Sequence, residues 1–240
     1  VHTEFSLLDG LSKIPKLVSQ AKIMGMQHLA ITDHGSLYGA IKFYKECKQE
    51  GINPIIGSEM YIAKRSMHDK ESGKDNENFH LTVLARDEEG YKNLMKLVTL
   101  AHLEGFYYRP RVDKELLSRH SKGLMALSGC NSSEVSKAFI EGDDKKAQQL
   151  INEYLQIFGK ENFYLEVQRH AFDKFVNAHE PGSLIYTDLT RMALEEKKII
   201  SGAKKIFQKH WSKNCCNQRH PLCTVSRCPC AGRHSLHSNR

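Results

Sequence analysis

Short apolar runs that each end in a histidine, an acid or a thiol recur through the first 170 residues, with helix-period segments between them. Ile31-Thr32-Asp33-His34-Gly35 is the centre of this pattern, because it puts an acid and an imidazole where an apolar run hands over to a loop. Ser36 to Gln49 then carries apolar residues at helical spacing. Ile52 to Ile62 reads as a buried strand ending near Glu59, and Phe79 to Ala85 as a strand that opens on His80. Gly123 to Cys130 runs from strand into loop, and Phe163 to His170 closes the series. Strands alternating with helices over short connections predict an α/β protein with a parallel sheet closed as a barrel. In such folds the carboxyl ends of the strands are where sites are built.

The connecting segments carry their own signals. Val1 to Gly10 reads as a strand entered midway that turns at Asp9-Gly10, and Ser12 is placed to cap a helix through Ile14, Leu17, Val18 and Ala21. Lys64 to Asn78 is polar and reads as a mobile surface loop. Asp87-Glu88-Glu89-Gly90 leads into a helix through Leu94, Leu97 and Val98, and Gly105 to Arg111 is an aromatic, basic loop.

A net charge of +7 suggests an anionic partner until the charge is located. Lys213, Arg219, Arg227, Arg233 and Arg240 supply five of those charges, because no acid lies between Ser212 and Arg240. The body is left with an excess of two, which is poor evidence for nucleic-acid binding. The seven cysteines divide the same way: only Cys47 and Cys130 lie in the body, the usage of a reduced, cytoplasmic protein. No apolar run approaches a bilayer span, so no membrane is expected as a partner.

The polar residues at or near the strand ends are His2, Asp9, Asp33, His34, Glu59, His80, Cys130 and His170. Singly, His2 or His80 would pass for a hydrogen-bonded core histidine and Cys130 for a small buried apolar residue. Their recurrence on strand after strand points instead to a shared site for divalent cations. Imidazole suits zinc, iron or manganese, and a carboxylate can bridge two ions. Two ions about 4 Å apart can hold a hydroxide between them and stabilise both oxygens of a phosphoryl displacement, which makes phosphoester hydrolysis the natural reaction class.

His2 to Gly10, Ile31 to Gly35, Gly57-Ser58-Glu59, the strand from His80, Gly105 to Asp113 and Ser128-Gly129-Cys130 together resemble a known family. It is the polymerase and histidinol phosphatase (PHP) domain of bacterial replicative DNA polymerase III alpha subunits, and the likeness runs from Val1 to about His170. The resemblance implies a distorted (β/α)7 barrel, incomplete here, with up to three divalent metals (zinc, manganese or magnesium). It also implies 3′–5′ exonuclease or phosphoesterase activity in metal-competent members, with DNA and the other polymerase subunits as partners. Carried over by position, His2, Asp9, His34, Glu59, His80 and Cys130 fall on metal-ligand positions, and Asp33 on one that orients His34. His170 has no firm ligand position. Tyr107, Tyr108, Arg109 and Arg111 are candidates for contact with nucleic acid or substrate, in a loop that free-standing phosphatases of the family lack.

The resemblance fails in two places. The first histidine of a His-x-His opening would lie before Val1, and the family's final Asp-x-His is absent. If the codons from Cys216 to Thr224 are read one nucleotide late, they can spell Ala-Thr-Asn-Asp-Ile-His-Tyr-Val, which resembles that missing segment. Those from Arg227 to Arg240 can spell Asp-Ala-His-Ala-Gln-Asp-Val-Ile-Leu-Cys-Ile-Gln-Thr, again family-like. The expected division is therefore a barrel domain over 1–206, with 170–206 poorly matched and partly an insertion. Residues 207–240 would be a shifted-frame translation of the domain's own end. Loss of three ligands predicts impaired catalysis, and the alternatives are a free-standing phosphatase or a non-catalytic structural module of the polymerase.

Overall fold

A computed structural model of the protein describes residues 1–211 apart from Leu8, Ala171 and Asn177. Most of the expected shifted-frame tail, residues 212–240, lies outside the described residues. No helix among the described residues is long and apolar enough to cross a membrane.

The chain runs α1 (Ile14–Ile23), β1 (His28–Ile31), α2 (Ala40–Glu50), β2 (Asn53–Ala63), β3 (Asn78–Ala85), α3 (Glu88–Leu103) and the short pair β4 (Phe106–Tyr107) and β5 (Arg109–Val112). It continues through α4 (Lys114–Arg119), β6 (Leu124–Leu127), α5 (Glu134–Glu141), α6 (Asp144–Phe158), β7 (Phe163–Tyr164), α7 (Phe172–Val176) and α8 (Leu184–Trp211). Ser12 does not cap α1: Lys13 holds the cap position, with a proline in the first turn, while Ser12 bridges Thr3 and its carbonyl accepts from Glu4 N. Proline's fixed φ starts the helix without a side-chain cap.

β2 is the strand on which the sheet is built. Its first half pairs in parallel with β1, from His28↔Asn53 to Ile31↔Ile56, and the isolated bridge His34↔Glu59 continues the same register beyond the strand. Its second half pairs antiparallel with β3, and Tyr61 and Ile62 pair in parallel with β5. β3 pairs antiparallel with β6, which pairs in parallel with β7. The seven strands thus form a mixed sheet in the order β4-β5-β2-β3-β6-β7, with β1 on β2, and not the closed parallel barrel that the alternation predicts. The reason lies between β2 and β3, where no helix intervenes: a parallel return needs a crossover of a dozen or more residues, usually helical, and the chain here simply doubles back.

One core cluster joins β2, β3, β5 and β6 to α3, α5, α6 and α8 through Met60, Ile62, Leu81, Val83, Leu94, Phe139, Tyr154 and Ile199 among others. Ile199, Ala203 and Ile206 bring α8 into that core, so the poorly matched segment packs with the rest of the domain. A smaller cluster of Ile14, Val18, Leu29, Ile31, Phe43 and Cys47 seats α1 and α2 against β1.

Helix starts are fixed by side chains that accept backbone N–H groups: Asp87 from Gly90, Asp113 from Leu116, Ser133 from Ser136 and Asp143 from Lys146. Asp113 does more than cap, because its second oxygen accepts from Met67 N at 3.0 Å and so ties the 64–77 loop to α4. Replacing Asp113 by alanine removes a cap and strands a second donor. The expected loss is about 2 kcal/mol, read as a lower urea midpoint.

Candidate metal centre

Asp33, 1% exposed, is the anchor at the end of β1. Its carboxylate accepts from Thr3 N at 2.5 Å, Thr3 Oγ1 at 2.8 Å and Ser6 Oγ at 3.1 Å, which ties the opening residues to the strand end and brings His2 beside His34. Neither ring nitrogen of His34 bonds to Asp33, so the direct orienting role expected for Asp33 gives way to one through the backbone: His34 N donates to Ser6 Oγ at 3.0 Å. Continued pairing along β2, with Gly35 N donating to Glu59 O and Glu59 N to Asp33 O, sets the His34 ring opposite the Glu59 side chain. Gly35 adopts φ +57°, and a Cβ there would press on Pro110 at 2.8 Å and on the Tyr61 ring at 3.1 Å.

The sheet register brings up the other residues. His80 on β3 lies directly across from Tyr61, and Glu59 lies two residues along β2 from Tyr61, hence on the same face. Beyond β6, Gly129 at φ +89° leaves no room for a Cβ against His80 O, and this close turn sets Cys130 beside the imidazole.

The result is a cluster around Glu59, which is 6% exposed. One of its oxygens lies 3.3 Å from His2 Nε2, and the other lies 2.5 Å from His80 Nδ1, 3.7 Å from Cys130 Sγ and 3.9 Å from His34 Nδ1. Cys130 Sγ is 3.6 Å from His80 Nδ1, and the His2 and His34 rings stack at 4.3 Å. Two triads result, His2–His34–Glu59 and Glu59–His80–Cys130, each with ligand atoms within 4.8 Å of one another. His2 Nδ1 lies 2.7 Å from Thr32 O, and because a carbonyl only accepts, Nδ1 carries a hydrogen; Nε2 faces Glu59, donating to it when the ring is protonated and free to offer its lone pair to a cation when the ring is neutral. His34 Nε2 pairs with Asp9 Oδ2 at 2.6 Å, while His34 Nδ1 is buried with no hydrogen-bond partner among the described residues. A buried nitrogen of this kind, facing a carboxylate, fits a cation.

The charges respond to this crowding. Burial alone would raise the Glu59 carboxyl, but hydrogen bonds from His2 and His80 and the nearby imidazoles hold it well below the usual carboxylate range. Burial alone would lower His80, but Cys130 and Glu59 hold it up at about 9. The bond to Glu59 also raises His2 against the pull of burial.

Other expected site residues lie elsewhere. His170 is joined to α8, its N donating to Glu196 Oε2 at 2.8 Å and its ring stacked on Phe172. A cavity of about 320 Å³ on that side, lined by Arg169, Glu196, Lys197 and Lys204, shares no residue with the histidine cluster. Gly105 to Arg111 is not a loop but the β4–β5 hairpin, with Tyr108 at its tip in the left-handed region, φ +57°. Arg111 departs from its expected role as a nucleic-acid contact. It is 0% exposed and donates to the carbonyls of Gly105, Met67, Asp69 and Asp75, so it fastens the 64–77 loop that the sequence presents as mobile. Tyr107 lies over the Arg111 guanidinium at 5.2 Å and edge-on to Tyr108, which is 65% exposed. Arg109 is exposed, and its guanidinium lies 5.8 Å from the ring centroid of Tyr61.

Tyr61 is the residue that the sequence reading missed. Its ring sits 5.8 Å from that of His34 and 5.2 Å from that of His80. Strand periodicity was the available signal, since a residue two beyond Glu59 shares its face. Thr3 and Ser6 gave no such signal.

The PHP domain family matches residues 1–170. DNA polymerase III subunit alpha of Borreliella burgdorferi is 47% identical over 172 residues, covering 71% of this chain and 15% of that protein. Those of Treponema pallidum and Thermus aquaticus are 44% and 46% identical over 72% and 71% of this chain, and 15% and 14% of their own lengths. The chain therefore spans only about 15% of the length of these relatives, and corresponds to their N-terminal region. A solved structure of a proposed metal-dependent phosphoesterase from Bifidobacterium adolescentis covers 77% of this chain and 55% of its own at 15% identity. Its TM-score of 0.31 is too slight a likeness to argue from. On the family match and these identities, the chain belongs to the PHP domain family.

Proposed function

We propose that this chain is the PHP module of a replicative DNA polymerase alpha subunit and that its cluster hydrolyses phosphodiesters, with the 3′ end of DNA as substrate. The observation that carries this reading is Glu59, one carboxylate shared by two triads beside a buried His34 nitrogen that has no hydrogen-bond partner among the described residues. His2, His34 and Glu59 would hold one divalent cation and Glu59, His80 and Cys130 a second, with Asp9 steadying His34 from outside. Zinc, manganese or magnesium, when bound, supplies positive charge that offsets the negative charge building on a phosphate under attack. The chain's own residues do the rest: Thr32 O fixes the His2 tautomer, Asp33 holds the opening loop in place, and Tyr108 and Arg109 on the hairpin tip meet the DNA backbone. Other subunits of the polymerase are the proposed protein partners.

A primer–template with a mismatched 3′ end tests the reading. Slow release of 3′ nucleotides in Mn²⁺ or Zn²⁺, abolished by a chelator, is the expected outcome, because the family's final Asp-x-His is absent from this sequence. Cleavage of small phosphate monoesters alone would favour a free-standing phosphatase, and no hydrolysis with no cation uptake would leave a structural module.

Proton release gives a second handle. A cation at His80 must displace a proton held with a pKa of about 9, so uptake is expected to strengthen as pH rises from 6.5 to about 9, as measured by titration calorimetry. An affinity flat across that window would contradict it. In the cation-free protein the sign is opposite. The raised His80 contributes stability fully present below 6.5 and lost as pH climbs towards 9, while the depressed Glu59 contributes stability present above 4.5 and lost as pH falls.

A further inference from the structure

We propose that Tyr61 and Arg109 form the phosphate-facing wall of the site, the Tyr61 hydroxyl donating to a phosphate oxygen and the Arg109 guanidinium holding the charge. The inference rests on the phosphodiester reading above and names the residues that recognise the substrate's anionic group. Tyr61 is 8% exposed, and the rings and side chains around it are those of the site: His34 at 5.8 Å, His80 at 5.2 Å, and Arg109 at 5.8 Å. Gly35 closes against its ring edge. Enclosed tyrosines ordinarily spend their hydroxyl on a hydrogen bond. The Tyr61 hydroxyl has no such partner among the described residues, and it is not sealed from solvent. Packing alone would be served by phenylalanine, so the oxygen is left for a group that enters the site.

Arg109 is in the same condition. Among the described residues its guanidinium makes no hydrogen bond or ion pair, and its contact is the face of Tyr61. The hairpin holds it there at a cost, because Tyr108 beside it sits at φ +57°, a conformation that side chains with a Cβ adopt rarely. Pro110 on the far side packs on Gly35, next to His34. A planar, permanently charged fork beside a phenolic donor, both unspent and both at the edge of a carboxylate–imidazole cluster, suits a phosphate whose remaining oxygens face the cations.

Calorimetric titration of inorganic phosphate into the protein, once with Mn²⁺ and once with a chelator, reads this wall apart from the cations. Tyr61→Phe keeps the ring and removes only the oxygen, and Arg109→Ala removes the charge from an exposed hairpin tip. Each is expected to weaken phosphate binding by about tenfold in Mn²⁺, while Mn²⁺ uptake stays at the wild-type stoichiometry. Equal phosphate affinity in the wild type and both variants would overturn the proposal, as would a wild type that binds no phosphate in either buffer. Phosphate binding that persists and weakens in the variants when no Mn²⁺ is taken up would support the wall and sink the metal-dependent reading instead.

Discussion

Replacing Glu59 by glutamine is expected to abolish cation uptake at both triads at once, by more than about 100-fold in affinity. The substitution keeps the shape and removes the charge. The two groups of ligands meet only at that carboxylate, one oxygen towards His2 and the other towards His80, Cys130 and His34. Without the charge, the His80 proton also loses one of the partners that hold it there. Cys130→Ser makes the useful contrast, because it alters a ligand of only one triad and should leave one cation bound. Metal analysis after gel filtration reads both variants. A Glu59→Gln protein that retains two cations would mean that the cluster is an ordinary hydrogen-bonded network.

Arg111→Met is expected to destabilise the fold by about 4 kcal/mol, or roughly 10 °C in Tm, without touching the cation cluster. Arg111 is one of the largest fully buried side chains among the described residues, and its guanidinium donates to four backbone carbonyls, three in the 64–77 loop and one at Gly105. Methionine fills much of the volume and leaves all four acceptors unmet. Lysine retains the charge but cannot spread its donors across the same span, so Arg111→Lys should recover little. A thermal melt of each variant beside a cation titration separates this structural role from a ligand-binding one. Unchanged stability with weakened DNA binding would restore the surface role that the sequence suggests.

The cluster was legible in the sequence because a potential ligand recurs on strand after strand, although only His34 and Cys130 follow strand ends, while Glu59 lies inside β2 and His80 near the start of β3. His34, Glu59, His80 and Cys130 could be collected that way before any coordinate was known. What could not be read was direction. Lys64 to Asn78 offers no helix for a parallel crossover, a signal that the overall strand–helix alternation masks, and the antiparallel return is what puts His80 opposite Tyr61. Asp33 was assigned to the histidine next to it in sequence, but its donors come from Thr3 and Ser6, some thirty positions away. Arg111 was misread for a related reason: Arg109 and Arg111 lie two apart on β5 and share a face, but Arg109 sits beside the hairpin tip while the 64–77 segment folds over Arg111, and the composition of the run does not mark which is covered. His170 ends its apolar run as the others do, yet the chain beyond β7 carries it to α8.

Anomalous diffraction from crystals soaked in Mn²⁺ or Zn²⁺ tests the shared-carboxylate site most directly. Two peaks flanking Glu59 are expected, one among His2, His34 and Glu59 and the other among Glu59, His80 and Cys130. Peaks confined to surface carboxylates, with His34 Nδ1 and the Cys130 thiol still uncoordinated, would contradict it.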